Sequence, residues 1–323
     1  MRIATIGSGF IVKEFINAGR EIAGVDFVAA YSRTAAGARA FADEMGIEKS
    51  YDALDVMFAD ADIDFIYIAS PNSLHYHQTM QALEAGKHVI VEKPFAGNEA
   101  RAKEMIALAK AKNLMLFEAI CNIHMPHFDY IKSQLERIGR IRAIQCNFSQ
   151  YSSRYPQLLD HVITNVFDPS FSGGAMADIN IYNIHFVVGL FGSPNQVSYI
   201  ANQYENGIDT SGILTMKYDD FVVECVGAKD SFSFNFGQIQ GEKGYIMVPE
   251  SVSLIKSVEI VTKDAKIDYN IQDKHRLSYQ IAAFKEISDA QDFAKRDALF
   301  EHSLAVVRVA EAARKCIDLN FEF

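Results

Sequence analysis

The sequence predicts an α/β protein of two domains: a doubly wound parallel sheet, followed by an α+β domain with a broad, mostly antiparallel sheet. Two observations lead to this prediction. Strand and helix patterns alternate through the first part of the chain, as they do in βαβ units. After Glu118, strand patterns follow one another with short turns between them, which is typical of antiparallel sheets. We therefore expect a first domain at residues 1–119 and a second at residues 120–323.

Short runs of apolar and β-branched residues predict the strands of the parallel sheet. They are Arg2–Ile6, Phe27–Tyr31, Phe65–Ala69, His88–Val91 and Leu114–Phe117. Helical patterns lie between them, including Leu74–Ala85, which Gly86 closes, and Ala100–Ala111. The regular spacing and the short connections favour a doubly wound sheet of the Rossmann type.

The second domain is predicted to begin with a helix, Pro126–Glu136, and a long alternating strand, Ile141–Tyr151. Further strand patterns follow at Gln196–Tyr204, Ser211–Tyr218, Phe221–Ala228, Ser231–Gln240, Gly244–Val248 and Ser253–Thr262. Asp219-Asp220 predicts a hairpin turn between two of them. Helical patterns return at Leu277–Phe293 and Ala298–Ile317, so the second domain is expected to be α+β.

The composition is that of a soluble globular protein, with 49% hydrophobic and 22% charged residues among 323. A net charge of −10 argues against nucleic acid as a partner. No apolar run approaches the ~18 residues of a membrane helix, and no signal peptide is evident. The four cysteines and nine histidines are scattered, without a Cys-x-x-Cys pair. This argues against a metal site or a disulfide framework and indicates a reducing cytoplasm.

A glycine-rich turn follows the first predicted strand and precedes a helix. It reads Gly7-Ser8-Gly9-Phe10-Ile11-Val12, with Val12 at the position of a third glycine. Glycines at such a turn let the backbone approach a pyrophosphate, and the helix N-terminus favours the anion. The alternative is an ordinary turn between strand and helix. Because the turn follows the first strand of an alternating unit, we expect Gly7, Ser8, Gly9, Phe10 and Ile11 to bind a dinucleotide.

The end of the second predicted strand indicates which dinucleotide is bound. An acidic residue there would bind the 2′-hydroxyl of NAD, but this chain has Ser32-Arg33-Thr34. A guanidinium flanked by two hydroxyls suits a 2′-phosphate. The alternative is a solvated arginine in a surface loop. We expect NADP as the cofactor, with NAD as the second choice.

Two further loops are predicted to lie at the carboxyl ends of the parallel strands. The third strand is followed by Ser70-Pro71-Asn72, whose turn could lie along the nicotinamide ribose. His75 follows in the first turn of the next helix, where a lone histidine is more often structural than functional. The fourth strand is followed by Glu92-Lys93-Pro94, where the proline turns the chain. Ligands of open α/β sheets bind at these strand ends. A lysine at this position is therefore a candidate functional residue.

In the second domain, Asp178, Tyr182 and His185 are spaced four and three residues apart. On a helix they share one face, while Ile179 and Phe186 lie on the opposite one. Such a polar stripe on an apolar helix can be catalytic. It can equally be a buried hydrogen-bond network, and the spacing does not distinguish the two.

Together these pieces resemble the glucose–fructose oxidoreductase/inositol dehydrogenase (Gfo/Idh/MocA) family over essentially the whole chain. The matching motifs are Gly7-x-Gly9, Ser70-Pro71-Asn72-x-x-His75, Glu92-Lys93-Pro94 and Gly173-Gly174-x-x-x-Asp178-x-x-x-Tyr182. Glu118-Ala119-Ile120 further resembles the dimeric dihydrodiol dehydrogenase branch, although its usual arginine is Ile123 here. Ser172 and Asn180 stand where glycine is common, as does Val12.

The resemblance implies that Lys93, Asp178 and Tyr182 line a cleft facing the nicotinamide, with Glu92 also counted at the cofactor site. Lys93 could then stabilise charge on the reacting oxygen while Tyr182 relays the proton. Asp178 would orient Lys93 or the substrate's hydroxyls. His185 is an alternative proton carrier, because its ordinary pKa suits neutral pH.

These expectations favour an NAD(P)-dependent oxidoreductase that acts on a sugar, polyol or cyclic diol. Tyr151–Tyr155 supplies polar and aromatic groups that could shape its substrate pocket, or could be a surface loop. A nucleotide-binding sensor without turnover, or a hydrolase or lyase that uses the cofactor transiently, is the alternative. Similar proteins cover the second sheet with another subunit, so a homodimer or a dimer of dimers is expected. Phe232, Phe234 and Phe236 are candidates for the core or that interface.

Overall fold

The computed structural model describes residues 1–271 and 273–322, which form two compact units. The first unit comprises Met1–Ala119 and Leu277–Glu301. The second comprises Ile120–Arg276 and His302–Glu322. None of the helices in this described part of the chain combines the length and the hydrophobicity that a membrane span requires.

The first unit contains a parallel sheet whose order is β3-β2-β1-β4-β5-β6. Its strands are β1 (Arg2–Ile6), β2 (Asp26–Tyr31), β3 (Lys49–Tyr51), β4 (Phe65–Ile68), β5 (His88–Glu92) and β6 (Leu116–Ala119). The predicted doubly wound sheet is confirmed, and the three-residue edge strand β3 is an addition to it. Helices connect the strands: α1 (Phe10–Arg20), α2 (Ala35–Met45), α3 (Leu54–Ala59), α4 (His75–Glu84) and α5 (Glu99–Ala111).

The strand order reverses between β1 and β4, which are neighbours at the centre of the sheet. One half of the chain winds outward from β1 to β3, and the other winds from β4 to β6. The loops that leave the carboxyl ends of β1 and β4 therefore diverge and leave a crevice, where doubly wound folds bind their ligands. Gly7 follows β1 and Ser70 closely follows β4, so both predicted cofactor loops lie at this position.

The second unit contains an eight-stranded sheet with the order β14-β13-β12-β11-β7-β10-β9-β8. Its strands are β7 (Ile141–Ser149), β8 (Gln196–Gln203), β9 (Asp209–Lys217), β10 (Val222–Ala228), β11 (Phe236–Gly241), β12 (Gly244–Val248), β13 (Val258–Thr262) and β14 (Lys266–Tyr269). Only β7 and β10 pair in parallel, with Cys146 opposite Cys225, and the other pairings within the described residues are antiparallel. The predicted mostly antiparallel sheet is confirmed.

One predicted strand begins later than expected. The alternating residues 231–235 are irregular, and β11 starts only at Phe236. Side chains explain the difference, because they take over bonds that a strand's backbone would make. The Asn147 amide donates to the Ser233 hydroxyl at 2.8 Å and to the Phe234 carbonyl at 3.0 Å. The Ser149 N–H donates to the Asn235 side chain at 2.7 Å.

The remaining helices are α6 (Pro126–Gln134), α7 (Tyr155–Leu159), α8 (Ile181–Phe191), α9 (Arg276–Asp289) and α10 (Phe293–Lys315). A π-helical turn, Met176–Asn180, leads directly into α8. The sheet of the second unit buries one face, which includes Leu214, Met216 and Cys225. Its other face exposes apolar side chains such as Ile213 and Val222.

The division of the chain differs from the predicted one at a single segment. Leu277–Glu301, predicted to lie in the second domain, clusters with residues 1–119. Phe284 of α9 stacks on Phe117 with ring centroids 4.6 Å apart. The Arg296 guanidinium donates to the Leu114 carbonyl at 3.0 Å. Amphipathic periodicity predicts that such a helix packs on a sheet but does not indicate which sheet.

Candidate active site

The turn between β1 and α1 has the geometry of a pyrophosphate cradle. Gly7 has a φ of +116°, and a Cβ there would lie 2.7 Å from the Ala69 carbonyl oxygen, so a side chain would clash. A Cβ at Gly9 would meet no atom within 4 Å. Gly9 is also the N-cap of α1, and no side chain caps the helix. Open space in front of uncapped backbone N–H groups fits an anion such as pyrophosphate.

Ser8 and Phe10 are exposed beside this turn, and Ile11 is half-buried. Phe10 keeps 76% of its surface accessible, although it is a large apolar side chain. Val12, at the third motif position, is fully buried and belongs to the core. The motif therefore retains the two glycines that the turn geometry needs and uses its last position for packing.

The tip of β2 presents a cation without a carboxylate beside it. Arg33 is exposed, and no ion pair within the described residues engages it. Thr34 is the N-cap of α2, and its Oγ1 accepts a hydrogen bond from the Gly37 N–H at 3.2 Å. Ser32 is half-buried at the same turn, 3.0 Å from the position of a Cβ at Gly37. One arginine and two hydroxyls are thus grouped at one helix N-terminus.

His75 is buried and holds the loop after β4 in place. Ser70, Pro71 and Asn72 are half-buried, whereas His75 is 1% exposed. The His75 ring nitrogens lie 3.1 Å from the Pro94 carbonyl and 3.0 Å from the Ser70 carbonyl. Burial lowers the pKa of His75, and the nearby Lys93 ammonium acts in the same direction, whereas the two carbonyls oppose it. His75 therefore ties the loop after β4 to the loop after β5.

Lys93 lies directly after β5 and is half-buried. The preceding Glu92 is 7% exposed, and its carboxylate accepts a hydrogen bond from the Tyr67 hydroxyl at 2.6 Å. The N–H of Phe95, on the other side, donates to the Glu118 carboxylate at 2.8 Å. Buried carboxylates thus anchor the backbone on both sides of Lys93, so the lysine projects from a rigid loop.

Asp178 and Tyr182 lie on successive turns at the start of the helix in the second unit, and both are half-buried. Asp178 belongs to the π-helical turn, a feature that recurs at functional sites. Its carboxylate accepts a hydrogen bond from the ammonium of Lys229, whose side chain is only 7% exposed. The Tyr182 ring packs edge-on against Phe148 of β7, with centroids 5.9 Å apart. Its backbone carbonyl accepts a hydrogen bond from the Asn122 amide at 3.0 Å.

Close backbone packing fixes where this helix begins. Gly174 has a φ of +99°, and a Cβ there would lie 1.9 Å from Oδ1 of Asp209. Oδ2 of Asp209 accepts hydrogen bonds from the Met176 N–H at 2.7 Å and from the Tyr199 hydroxyl at 2.8 Å. Burial raises the pKa of the Asp209 carboxyl, against the effect of those hydrogen bonds. The second glycine of the motif, Gly174, therefore allows the approach of Asp209 to the helix start.

Asn180, where glycine is common in the family that the sequence resembles, is accommodated by a glycine on the sheet. A Cβ at Gly227 would lie 2.6 Å from the Asn180 Cβ. The Asn180 amide donates to the Cys225 carbonyl at 3.2 Å, so the side chain ties the helix to β10. The larger side chain of Asn180, compared with glycine, therefore fits between the helix and β10, because Gly227 has no side chain there.

His185 does not share the exposed face of Asp178 and Tyr182, contrary to the sequence-based expectation. It is fully buried, and its Nδ1 lies 2.8 Å from Nε2 of His302, within hydrogen-bond distance. Three residues along an α-helix correspond to about 300° of rotation, so His185 points about 60° away from Tyr182. This difference directs His185 toward His302 of α10. His185 belongs to the buried network that was the alternative interpretation.

The segment after β7 continues the parallel pairing with the segment after β10. The Ser152 N–H donates to the Lys229 carbonyl at 2.8 Å. Tyr151 stacks on Phe232 with centroids 5.0 Å apart, and Tyr155 packs edge-on against Tyr151 at 5.6 Å. Phe232 remains 83% exposed. An aromatic surface therefore lies on the strand-end segments that also carry Lys229.

Lys229, Asn122 and Asp209 are among the polar residues that sequence reasoning did not single out. Lys229 is 51 positions from Asp178, and no local pattern links them. A signal was present, however. An isolated lysine at the end of an apolar, predicted buried strand requires a partner.

Two family models match the chain. One, described as an oxidoreductase family with an NAD-binding Rossmann fold, matches residues 1–120. The other, described as the Gfo/Idh/MocA C-terminal domain, matches residues 132–247.

Several known proteins are similar to most of the chain. The NADP(+)-dependent scyllo-inositol 2-dehydrogenase IolU of Bacillus subtilis is 34% identical, over 99% of this chain and 98% of its own. A trans-1,2-dihydrobenzene-1,2-diol dehydrogenase of Xenopus tropicalis is 28% identical, over 81% and 79%. The crystal structure of KijD10, a 3-ketoreductase from Actinomadura kijaniata in complex with NADP and TDP-benzene, has a TM-score of 0.87 at 21% identity, over 98% and 97%. That last likeness shows the fold.

Proposed function

Because this chain belongs to the Gfo/Idh/MocA family of oxidoreductases, we propose that it is an NADP-dependent dehydrogenase of a cyclic polyol. It would oxidise a ring hydroxyl to a ketone, or reduce the ketone. The observation that carries the proposal is the full-length similarity to an NADP-dependent inositol dehydrogenase. The cation at the tip of β2 supports the cofactor, and the polar groups on α8 and the turn before it support a hydroxylated substrate.

The residues of the first unit would hold the cofactor by its anionic parts. Gly7, Ser8 and Gly9, with the N-terminus of α1, would bind the pyrophosphate. Arg33, aided by Ser32 and Thr34, would bind the 2′-phosphate. Phe10 and Ile11 would cover the pyrophosphate, and Ser70, Pro71 and Asn72 would line the nicotinamide ribose. When bound, the nicotinamide supplies the hydride acceptor or donor.

The proton chemistry is assigned to side chains of this chain. We propose that Lys93 donates a hydrogen bond to the reacting oxygen and stabilises negative charge there. Tyr182 would take the proton from that oxygen during oxidation and return it during reduction. Asp178 would accept a hydrogen bond from a substrate hydroxyl. His75 and Glu92 would act indirectly by holding the loop of Lys93, and His185, being buried, is left out of the proton transfer.

The proposal predicts turnover that depends on Lys93. The assay would follow absorbance of the reduced nicotinamide with NADP or NAD and with inositols, other polyols, sugars and trans-dihydrodiols. Lys93→Ala should lower kcat by at least about 100-fold, because a charge-stabilising group is lost from the transition state. The Kd for NADP, measured by fluorescence, should change less than about threefold.

A matched control is Lys103→Ala, an exposed lysine on α5 of the same unit. It should leave both quantities unchanged. Tight NADP binding without turnover of any compound would instead indicate a nucleotide-binding sensor. Full activity of Lys93→Ala would remove Lys93 from the reaction.

We also propose that the protein is a homodimer or a dimer of dimers in the cytoplasm. The exposed apolar side chains on the open face of the second sheet support the assembly. The wide spacing of the four cysteines supports a reducing compartment, which cell fractionation would test.

A further inference from the structure

Lys229 is a buried lysine directly beside a proposed substrate-binding residue. Its backbone extends β10 and is fixed on both sides: its N–H donates to the Thr210 carbonyl, and its carbonyl accepts from Ser152, both at 2.8 Å. Its side chain turns toward the helix start and ends on Asp178. A buried ammonium is costly unless it is paired. The placement of Lys229 therefore depends on the carboxylate of Asp178.

The two partners are buried to different extents. The Lys229 side chain is 7% exposed, whereas that of Asp178 is 35% exposed. The carboxylate consequently separates the ammonium from solvent and presents an edge that a solute can reach. An ionised carboxylate accepts hydrogen bonds only, and the solute must therefore donate one.

We propose that Lys229 is a positioning residue that makes Asp178 a selective acceptor for the hydroxyl next to the reacting carbon. This inference rests on the proposed function and assigns Lys229 a positioning role in that site. The Lys229 ammonium holds the carboxylate in one orientation and stabilises its charge. Asp178 and Tyr182 project from successive turns of one helix. A substrate with hydroxyls on adjacent carbons can therefore engage both, the first as the reacting group and the second as a donor to Asp178.

The test compares 1,2-cyclohexanediol, in both ring isomers, with cyclohexanol, which lacks the neighbouring hydroxyl. The wild-type protein should prefer one diol isomer over cyclohexanol in kcat/KM by on the order of 10- to 100-fold, as expected for a charge-assisted hydrogen bond. Lys229→Met removes the ammonium and keeps an unbranched side chain. It should reduce this preference to about threefold or less, chiefly through KM for the diol, while kcat/KM for cyclohexanol changes little.

Lys229→Arg keeps the positive charge and should restore most of the preference. A role of Lys229 in folding alone would lower activity on both compounds in parallel and leave their ratio unchanged. That outcome would overturn the proposal. The matched control is Lys256→Met, which breaks the exposed pair with Glu250 in the same unit and should leave the ratio at the wild-type value.

A second variant covers the case in which Lys229→Met does not fold, as judged by circular dichroism. Asp178→Asn keeps Lys229, and an amide is a weaker acceptor than a carboxylate. It should lower the diol preference in the same way, and a folded Asp178→Asn protein with the full preference would contradict the proposal.

Binding without turnover separates this inference from the proposed function. Calorimetry of the wild-type protein with NADP gives dissociation constants for the diol and for cyclohexanol. A protein that binds the diol selectively but does not oxidise it would contradict the proposed function. Loss of this selective binding in Lys229→Met would then still support the role of Lys229. Turnover of both compounds at equal efficiency would leave the oxidoreductase standing and overturn the diol selectivity.

Discussion

We propose that Arg33 determines whether this chain binds NADP or NAD. It is exposed at the tip of β2, beside the hydroxyls of Ser32 and Thr34, where NAD-specific proteins place a carboxylate. A guanidinium can bind the 2′-phosphate of NADP with two parallel hydrogen bonds. NAD carries a hydroxyl at the same position and offers no phosphate. The cofactor preference should therefore depend on this side chain.

Arg33→Ala is expected to weaken NADP binding by about 10- to 100-fold, which corresponds to the loss of a charge-assisted hydrogen bond. The Kd for NAD should change less than about threefold. Titration of protein fluorescence with each cofactor measures both. Arg39→Ala on α2, whose guanidinium is paired with Asp43, is the control and should change neither constant. Equal losses for NADP and NAD would contradict the role of Arg33.

Residues with a local signal were the predictable part of the site. Gly7 and Gly9 could be predicted to form a tight turn, because the geometry of a turn depends on residues that are adjacent in the sequence. Arg33 stood out because it replaces an expected acid. Lys229 could not be assigned to Asp178, because that contact joins distant segments through the sheet. His185 was misplaced because its burial involves a contact with His302, 117 positions away, which periodicity does not reveal.

At the scale of elements, the parallel sheet was the most predictable part. Strands β1, β4, β5 and β6 are largely buried on both faces, and such strands are continuous apolar runs. The edge strand β3, with only Lys49-Ser50-Tyr51, is too short to show a period. The irregular residues 231–235 alternate like a strand, but side-chain hydrogen bonds from Asn147 and Asn235 replace the backbone ladder there.

A cluster of three histidines should make the second unit sensitive to acid: His185 of α8 is buried, and His302 of α10 and His124 are half-buried. Burial lowers the pKa of His124 to about 4, and the neighbouring His185 adds to the effect. Burial also lowers the pKa of His302 well below its usual range, with His185 and His124 contributing. His124 and His302 are therefore neutral in the folded state at pH values between about 4 and 6.5, whereas in the unfolded chain their pKa is about 6.5.

The sign of the effect follows from proton binding. The unfolded chain binds more protons between pH 6.5 and about 4, so stability is fully present above pH 6.5 and falls toward pH 4. His124 alone should account for a loss of about 2 kcal/mol between pH 6.5 and 4.5. Urea unfolding at several pH values measures the slope.

His124→Gln should flatten that slope, even though it lowers stability at pH 7. His77→Gln is the matched control, because His77 is exposed, and it should keep the wild-type slope. Equal slopes in the wild-type and His124→Gln proteins would show that His124 does not bind a proton on unfolding in this range.

At the scale of the whole molecule, the open face of the second sheet should determine assembly. Ile200, Ile213 and Val222 are exposed by 78%, 45% and 52% on adjacent strands of this sheet. An apolar surface of this kind typically marks a protein–protein interface. The polar side chains among them, Gln145, Glu224 and Gln240, already bond to one another, which limits the cost of covering them.

Analytical ultracentrifugation should give a mass that is two or four times 36.1 kDa. Ile213→Lys places a charge in the middle of this face and should shift the protein toward the monomer, because an unpaired buried charge opposes association. Val56→Lys changes an equally exposed side chain on α3 and should not alter the mass. A wild-type monomer, or a mass insensitive to Ile213→Lys, would contradict the proposed interface.

Within the described residues, the chain crosses between its two units three times, after Ala119, after Arg276 and after Glu301. The last crossing falls inside α10, an unbroken helix from Phe293 to Lys315. A fragment that ends at residue 119 would lack Phe284, which stacks on Phe117, and Arg296, which donates to the Leu114 carbonyl. Replacing the second unit by that of a relative, in evolution or in the laboratory, therefore requires the two sequences to be joined at three positions. Recombination can transfer residues 120–276 as one continuous segment. Helix α10, however, belongs to both units, so its residues before and after Glu301 must each fit the unit that they contact.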